Sequence, residues 1–86
     1  MKTLVVEDSR ASMQIITHYL ERMGITPVPA ATGTEAVDLF LSERPDMVLL
    51  DIVLPDIDGF EVARRLRQIE QPWDWTPIIF LTSMTK

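Results

Sequence analysis

Three carboxylates follow two short apolar runs, and they are the residues of this chain best suited to chemistry. Glu7 and Asp8 come after the apolar residues 4–6, and Asp51 comes after the apolar residues 47–50. If the two runs are strands of one parallel sheet, their carboxyl ends meet at a common edge of that sheet. Carboxylate oxygens suit a hard divalent cation. The spacing therefore predicts a pocket for a cation and a phosphoryl group.

The elements that position these acids alternate along the chain as apolar runs and amphipathic stretches, the pattern of β-α units around a parallel sheet. The predicted strands are Thr3–Glu7, Thr26–Ala30, the run ending at Asp51, and Ile78–Leu81. Within the second strand, two prolines at positions 27 and 29 remove alternate hydrogen-bond donors. We therefore expect this strand at an edge of the sheet.

Capping signals mark the starts of three helices. Ser9 is a good N-cap, and Thr32 and Asp58 each stand three residues before a glutamate, the spacing of a capping box. The helices should end at Gly24, before Pro45 and near Gln71. The residues expected to face the core are Met13, Ile16, Leu20 and Met23, then Ala36, Val37, Phe40 and Leu41, then Val62, Ala63, Leu66 and Ile69. His18 and the arginines of the third helix should be solvated.

Composition excludes several classes of function. The 86 residues, 47% of them hydrophobic, fit one globular domain rather than a disordered chain. A net charge of −5 and the lack of a Lys/Arg stripe argue against direct nucleic-acid binding. There is no cysteine for a disulfide framework, and no apolar run is long enough for a signal peptide or a membrane span. We expect a cytoplasmic protein that does not contact a membrane.

The motifs together resemble the receiver domain of two-component response regulators. They are the acidic pair Glu7-Asp8, Asp51 with Pro55 and Gly59 at fixed offsets, and Leu81-Thr82-Ser83. The resemblance implies an α/β, flavodoxin-like (CheY-like) doubly wound parallel sheet of strand order 2-1-3-4(-5). The family's fourth helix, fifth strand and fifth helix do not occur in this sequence, so residues 1–86 are expected to form a single incomplete receiver domain, from strand one through strand four.

The same resemblance implies a function and its site. Asp51 would accept a phosphoryl group from the phosphohistidine of a sensor histidine kinase, with Mg²⁺ as the cofactor. Asp8 and Asp51 would bind the ion directly, Glu7 largely through a water molecule, and Val53 through its backbone carbonyl. The domain would then be a signalling switch for a downstream output, and not an enzyme beyond its own phosphoryl transfer and slow autodephosphorylation.

The fourth strand leads into the residues that would sense the phosphoryl group. Thr82 would donate its hydroxyl to a phosphoryl oxygen and act as the switch, and the small Ser83 would leave room for that oxygen. Lys86 lies too close to Thr82 to be the family's phosphate-binding lysine, which stands on the next strand. Apolar Val53 and Met84 stand where the family often places side chains that orient a hydrolytic water, so we expect a slowly decaying phosphoform.

Two other readings remain as alternatives. An aspartate-nucleophile phosphatase would need an acid two residues after Asp51, and Val53 occupies that position. A receiver-derived interaction or dimerisation module that is impaired in phosphorylation would be consistent with the absence of the family's fourth helix, fifth strand and fifth helix. It does not explain why the acids are retained. An exposed fourth strand and exposed Ile15 and Tyr19 on the first helix predict a homodimer, with exchange of elements as one route.

Overall fold

The computed structural model describes residues 1–81, which form a parallel sheet with helices packed against it. The elements in chain order are β1 (Lys2–Val6), α1 (Arg10–Arg22), β2 (Thr26–Ala30), α2 (Gly33–Glu43), β3 (Met47–Asp51), α3 (Gly59–Ile69) and β4 (Ile78–Leu81). The predicted α/β alternation is confirmed, with β2 and β4 at the predicted bounds and β1 starting and ending one residue earlier.

The strand order is β2-β1-β3-β4, and all three pairings are parallel. This is the flavodoxin-like order that the resemblance implied. It places β2, with its two prolines, at one edge of the sheet, while Thr26 donates from its backbone N–H to the Met1 carbonyl at 2.8 Å. We call the end of the sheet at which β1 and β3 finish the carboxyl end, and the opposite end the amino end.

The core lies between the central strands and the inner faces of α2 and α3. Its buried members are Leu4, Val6, Val28, Ala30, Ala36, Phe40, Val48, Leu50, Val62 and Leu66. The predicted core faces hold except at two positions: Met23 is 65% exposed and Leu41 is 53% exposed. Met23 already lies beyond the last turn of α1, and Leu41 lines an open cleft at the amino end.

The caps explain why each helix starts close to the carboxyl end. Ser9, Thr32 and Asp58 all accept a backbone N–H from three residues further on, as predicted. Each cap satisfies a donor that the first helical turn leaves without an intrahelical partner. Three helix N-termini are thereby fixed beside the ends of β1, β2 and β3. No helix within residues 1–81 is both long and apolar enough to cross a bilayer.

Candidate metal and phosphoryl site

The structure brings the three predicted carboxylates together at the carboxyl end. Asp51 is the last residue of β3 and is fully buried, Glu7 directly follows β1 and is 4% exposed, and Asp8 is exposed. One carboxylate oxygen of each lies within 4.8 Å of the other two. The cause is the strand register: Val6 and Leu50 are partners in the sheet, so Glu7 and Asp51, which follow them, come side by side at the carboxyl end.

Glu7 is held in place from two sides. Its backbone N–H donates to the carbonyl of Ala30 at the end of β2, at 3.0 Å. Its carboxylate oxygen Oε1 accepts the backbone N–H of Ser9, the N-cap of α1, at 2.9 Å. Glu7 is therefore tied to the sheet edge through its backbone and to the start of a helix through its carboxylate.

Asp51 is backed by a glycine that no other residue could replace without a shift. Gly59 donates its N–H to the Ile52 carbonyl at 2.7 Å. A Cβ at Gly59 would overlap the Asp51 carbonyl oxygen and lie 2.8 Å from the Ile52 Cα, and both of these atoms belong to the backbone. The offset between Asp51 and Gly59, read from the sequence as part of a motif, thus has a steric reason.

Residues 52–58 form the loop that leaves Asp51, and we call it the acceptor loop. Val53, 54% exposed, lies in it, and its N–H donates to Asp51 Oδ1 at 3.3 Å. Further along, Asp56 accepts hydrogen bonds from Gly33 N at 2.8 Å, Thr34 N at 2.9 Å and the Thr34 hydroxyl at 2.6 Å. The Thr34 hydroxyl, followed by the two N–H groups, holds the pKa of Asp56 far below its usual value.

Sequence reasoning found the acids but missed Asp56. The sequence shows it only as one polar residue in a loop, because its partners stand 22 and 23 residues earlier in the chain. The only available signal was that an acidic side chain stabilises a helix N-terminus. Which helix would receive it depended on the fold.

The predicted switch residues, Thr82 and Ser83, lie outside the described residues, as do Met84 and Lys86. The residue before them can be placed. Leu81, the last residue of β4, is the register partner of Asp51. Leu81 therefore lies directly beside the strand end that carries the predicted phosphoacceptor.

The chemistry of the cluster fits a hard cation. All three side chains offer carboxylate oxygens, the ligands that Mg²⁺ prefers, and three neighbouring carboxylates repel one another when no cation offsets their charge. A cleft of about 310 Å³ opens beside Glu7 and Asp8. It lies between the start of α1 and the end of β2, and its lining includes Glu7, Asp8, Met13, Pro29 and Glu35. The cleft thus gives a small group access to the side of the cluster formed by Glu7 and Asp8.

Comparison with known families gives a consistent result. The sequence profile of the response regulator receiver domain matches residues 3–86. Among characterised proteins, the chain is 43% identical over 82 residues to the transcriptional regulatory protein YxdJ of Bacillus subtilis, covering 95% of this chain and 34% of that protein. It is 41% identical over 80 residues to the transcriptional regulatory protein AfsQ1 of Streptomyces coelicolor, covering 93% and 34%. The chain thus spans about a third of the length of these relatives.

Solved structures agree with the sequence matches. The BeF₃-activated N-terminal receiver domain of RstA from Klebsiella pneumoniae superposes with a TM-score of 0.86 at 36% identity, covering 100% of this chain and 70% of that one. The chemotaxis protein CheY4 of Vibrio cholerae gives a TM-score of 0.89 at 34% identity, covering 99% and 70%. Both the strand order and the sequence therefore point to one family.

Proposed function

The chain belongs to the receiver domain family of two-component response regulators, and from this premise we propose that Asp51 is the residue that accepts the phosphoryl group in phosphorelay signalling. One observation carries the proposal. Asp51 is fully buried at the end of β3, yet its carboxylate lies within 4.8 Å of those of Glu7 and Asp8. Burying a carboxylate among others is costly, and a structural role alone does not explain that cost.

The transfer has a simple balance of bonds. A carboxylate oxygen of Asp51 attacks the phosphorus of a phosphohistidine on a sensor histidine kinase, in line with the bond to the imidazole nitrogen. The phosphorus–oxygen bond forms, the phosphorus–nitrogen bond breaks, and its electron pair stays on the leaving imidazole. Receiver domains are signalling domains, so the product is a modified protein whose surface conveys the signal.

The family uses Mg²⁺, and the acids here are the groups that would hold it. We assign direct contacts to the Asp8 and Asp51 carboxylates and the Val53 carbonyl, with Glu7 acting largely through water. Bound there, the ion offsets the negative charge that gathers on the phosphoryl oxygens during transfer. The hydrogen bond from Ser9 fixes the Glu7 carboxylate, which limits the reorganisation needed to bind the ion.

Thr82 and Ser83 complete the proposal as the residues that receive the signal. Thr82 donates its hydroxyl to a phosphoryl oxygen and acts as the switch, and Ser83 leaves space for that oxygen. Support comes from the register of Asp51 with Leu81, because Thr82 is the next residue in the sequence after Leu81. Apolar Val53 and Met84 give no polar group to orient water, so the phosphoform decays slowly. A cytoplasmic location, general for response regulators, brings the domain to a kinase.

Intact-mass measurement tests the central step. After incubation with Mg²⁺ and acetyl phosphate, we expect a gain of one phosphoryl group that EDTA prevents and Asp51→Asn abolishes. Asp46→Asn is the matched control, because Asp46 precedes the same strand at the amino end and accepts the Lys2 N–H at 2.7 Å. A gain that survives in Asp51→Asn would overturn the assignment. No gain in any variant would favour the interaction module, the reading that the comparisons do not favour.

We further propose that the chain associates through β4 and α1. Within residues 1–81, β4 pairs only with β3, and Ile79 and Phe80 on it are 48% and 39% exposed. On α1, Ile15 and Tyr19 are 58% and 60% exposed. Light scattering should give twice the chain mass at high concentration, and Ile79→Lys at the edge should return it to one chain. A single-chain mass at every concentration would contradict this.

A further inference from the structure

The cleft at the amino end of the sheet, about 410 Å³ in volume, takes no part in the proposed phosphoryl transfer. Its size falls within the usual range for ligand pockets, roughly 300–1,000 Å³. The last turns of α2 and α3 contribute Leu41 and Ile69 to its lining, and the connection from α3 to β4 contributes Asp74, Trp75 and Thr76. Three separate segments of the chain therefore form one concave surface.

The charges around this cleft favour a cationic occupant. Both α2 and α3 end here, so the negative ends of two helix dipoles meet at the cleft, and the last turn of α2 carries no basic residue. Among the described residues of the lining, three are acidic, Asp46, Glu70 and Asp74, and one is basic, Arg44. Glu70 is already paired with Arg67 at 3.0 Å, which leaves two carboxylates against one guanidinium. The cleft thus keeps an excess of negative charge.

Trp75 gives the same cleft an aromatic surface against which a cationic side chain can stack. The guanidinium of Arg67 packs over the Trp75 ring, and most of the residue is nevertheless exposed. Leu41 in the lining and Trp73, two residues before Trp75, are exposed as well. Tryptophan is enriched among the residues that contribute most to protein–protein binding. A small cation would leave much of this apolar surface uncovered, so these features favour a polypeptide as the occupant.

We propose that the amino-end cleft is a docking site for a partner protein, which inserts an arginine or lysine side chain from a basic, apolar segment. The charged group of that side chain is attracted by Asp46 and Asp74, while its aliphatic stem packs against Trp75 and Leu41. The three predicted acids lie at the opposite end of the sheet, so docking at the amino end does not cover them. The site is therefore independent of the proposed phosphoryl transfer.

Peptide titration followed by NMR tests the proposal. The probes are the peptide acetyl-Leu-Arg-Leu-amide and the same peptide with citrulline in place of arginine, which keeps the shape of the side chain and removes its charge. We expect the arginine peptide to shift the Trp75 indole N–H signal saturably, and the citrulline peptide to bind about fivefold more weakly, the upper value for an exposed ion pair. In Asp74→Asn the difference between the two peptides should shrink, because their charged partner is lost.

Asp38→Asn is the matched control. Asp38 is an exposed residue of α2 that does not line the cleft, so its replacement changes the net charge equally. This variant should keep the wild-type preference for the arginine peptide. Trp75→Ala should weaken binding of the arginine peptide about threefold through loss of the cation–π contact. Acetyl phosphate labelling of Asp51 should be unchanged by either peptide.

Each contrary outcome would overturn the docking site in a different way. Equal binding of the arginine and citrulline peptides to the wild-type chain would show that charge is not recognised. An equal loss of preference in Asp38→Asn and Asp74→Asn would show that only the overall charge matters. Shifts confined to the signals of Glu7 and Asp8, or no saturable shift at all, would place no binding at the amino end. Spermidine that matched the arginine peptide in affinity and in its shifts would indicate a small polycation instead of a protein segment.

Discussion

The carboxyl end and the amino end of the same sheet are held together by different means. At the carboxyl end, Asp51 and Glu7 are buried, and the backbone of Gly59 lies directly against the backbone of Asp51 and Ile52. At the amino end, Trp73 and Trp75 are 79% and 72% exposed, and long side chains close the α3–β4 connection. The difference shows that the cluster of Glu7, Asp8 and Asp51 lies where backbone atoms leave little room for adjustment, while the amino end, which carries none of these three acids, exposes large side chains to solvent.

Arg67 organises the amino end. Its Nη1 donates to the Thr76 carbonyl at 2.8 Å and to Glu70 at 3.0 Å, and its guanidinium carbon lies 4.9 Å from the Trp75 ring centroid. Glu70 accepts the Thr76 N–H in return, at 3.2 Å. Together they fix the chain just before β4 begins. A cleft of about 410 Å³ lies next to Trp75, larger than the one beside the acids and without any of the three predicted acids in its lining.

The largest expected effect comes from filling the space behind Asp51. Gly59→Ala should destabilise the fold by about 3 kcal/mol, the upper part of the usual range for overpacking, because the obstructing atoms are backbone. It should also abolish phosphoryl acceptance, since the Asp51 carbonyl must move. Urea unfolding and intact mass after acetyl phosphate treatment measure the two losses.

Gly24→Ala is the matched control at the amino end. Gly24 has a φ of 79°, and nothing lies within 4 Å of the position its Cβ would take. The change should cost about 1 kcal/mol through backbone strain alone and leave phosphorylation intact. If Gly59→Ala lowered the free energy of unfolding no more than Gly24→Ala does, the rigidity assigned to the carboxyl end would be wrong.

The sequence predicted the carboxyl end better than the amino end, and the reason is physical. Strand ends and capping boxes are local patterns, so the sequence could place Glu7, Asp8 and Asp51 at one edge of the sheet. The assignment of the third helix's arginines to a solvated face holds for Arg64 and Arg65, whose side chains are 57% and 44% exposed. It holds only in part for Arg67, whose side chain is 34% exposed and whose partners lie beyond the helix in the α3–β4 connection.

The contacts that the sequence did not predict join segments that are far apart in the chain. The bond of Asp56 to the start of α2 joins residues 22 apart, and no periodicity records such a contact. Prolines 27 and 29, by contrast, have no backbone N–H to donate to a neighbouring strand, so the sequence could place β2 at the edge of the sheet. Features set by neighbouring residues can thus be predicted from the sequence, whereas the contacts that hold a loop in place depend on the tertiary structure.

An intermediate effect should follow from removing Arg67. Arg67→Ala should destabilise the fold by about 2 kcal/mol, because the Glu70 carboxylate, whose side chain is only 10% exposed, loses its charged partner. Arg67→Lys should recover only part of this, since it keeps the charge but not the planar donor geometry. Mg²⁺ affinity should not change in either variant. A loss of affinity matching the loss of stability would show that the two ends are coupled.

The smallest effect is a pH dependence that separates two carboxylates of the carboxyl end. Arg64 and then Arg65 lower the pKa of Glu61 to about 2, and the Thr34 contacts lower that of Asp56. A depressed folded-state pKa stabilises the fold above the unfolded pKa of about 4, and this stability is lost as the pH falls through the folded value. Urea unfolding between about pH 5 and pH 2 should therefore show a falling free energy of unfolding, with a shallower slope in Glu61→Gln and in Asp56→Asn.

Salt then distinguishes the two carboxylates. Glu61 is bound by charged arginines whose side chains are largely exposed, so about 1 M salt should remove most of its share of the slope. Asp56 accepts hydrogen bonds from neutral groups, and its share should persist. The difference between wild type and Asp56→Asn at high salt therefore isolates the hydrogen bonds that Asp56 accepts from Gly33 and Thr34. A difference that vanishes with added salt would mean that Asp56 acts as a screened surface charge and not through its hydrogen bonds to Gly33 and Thr34.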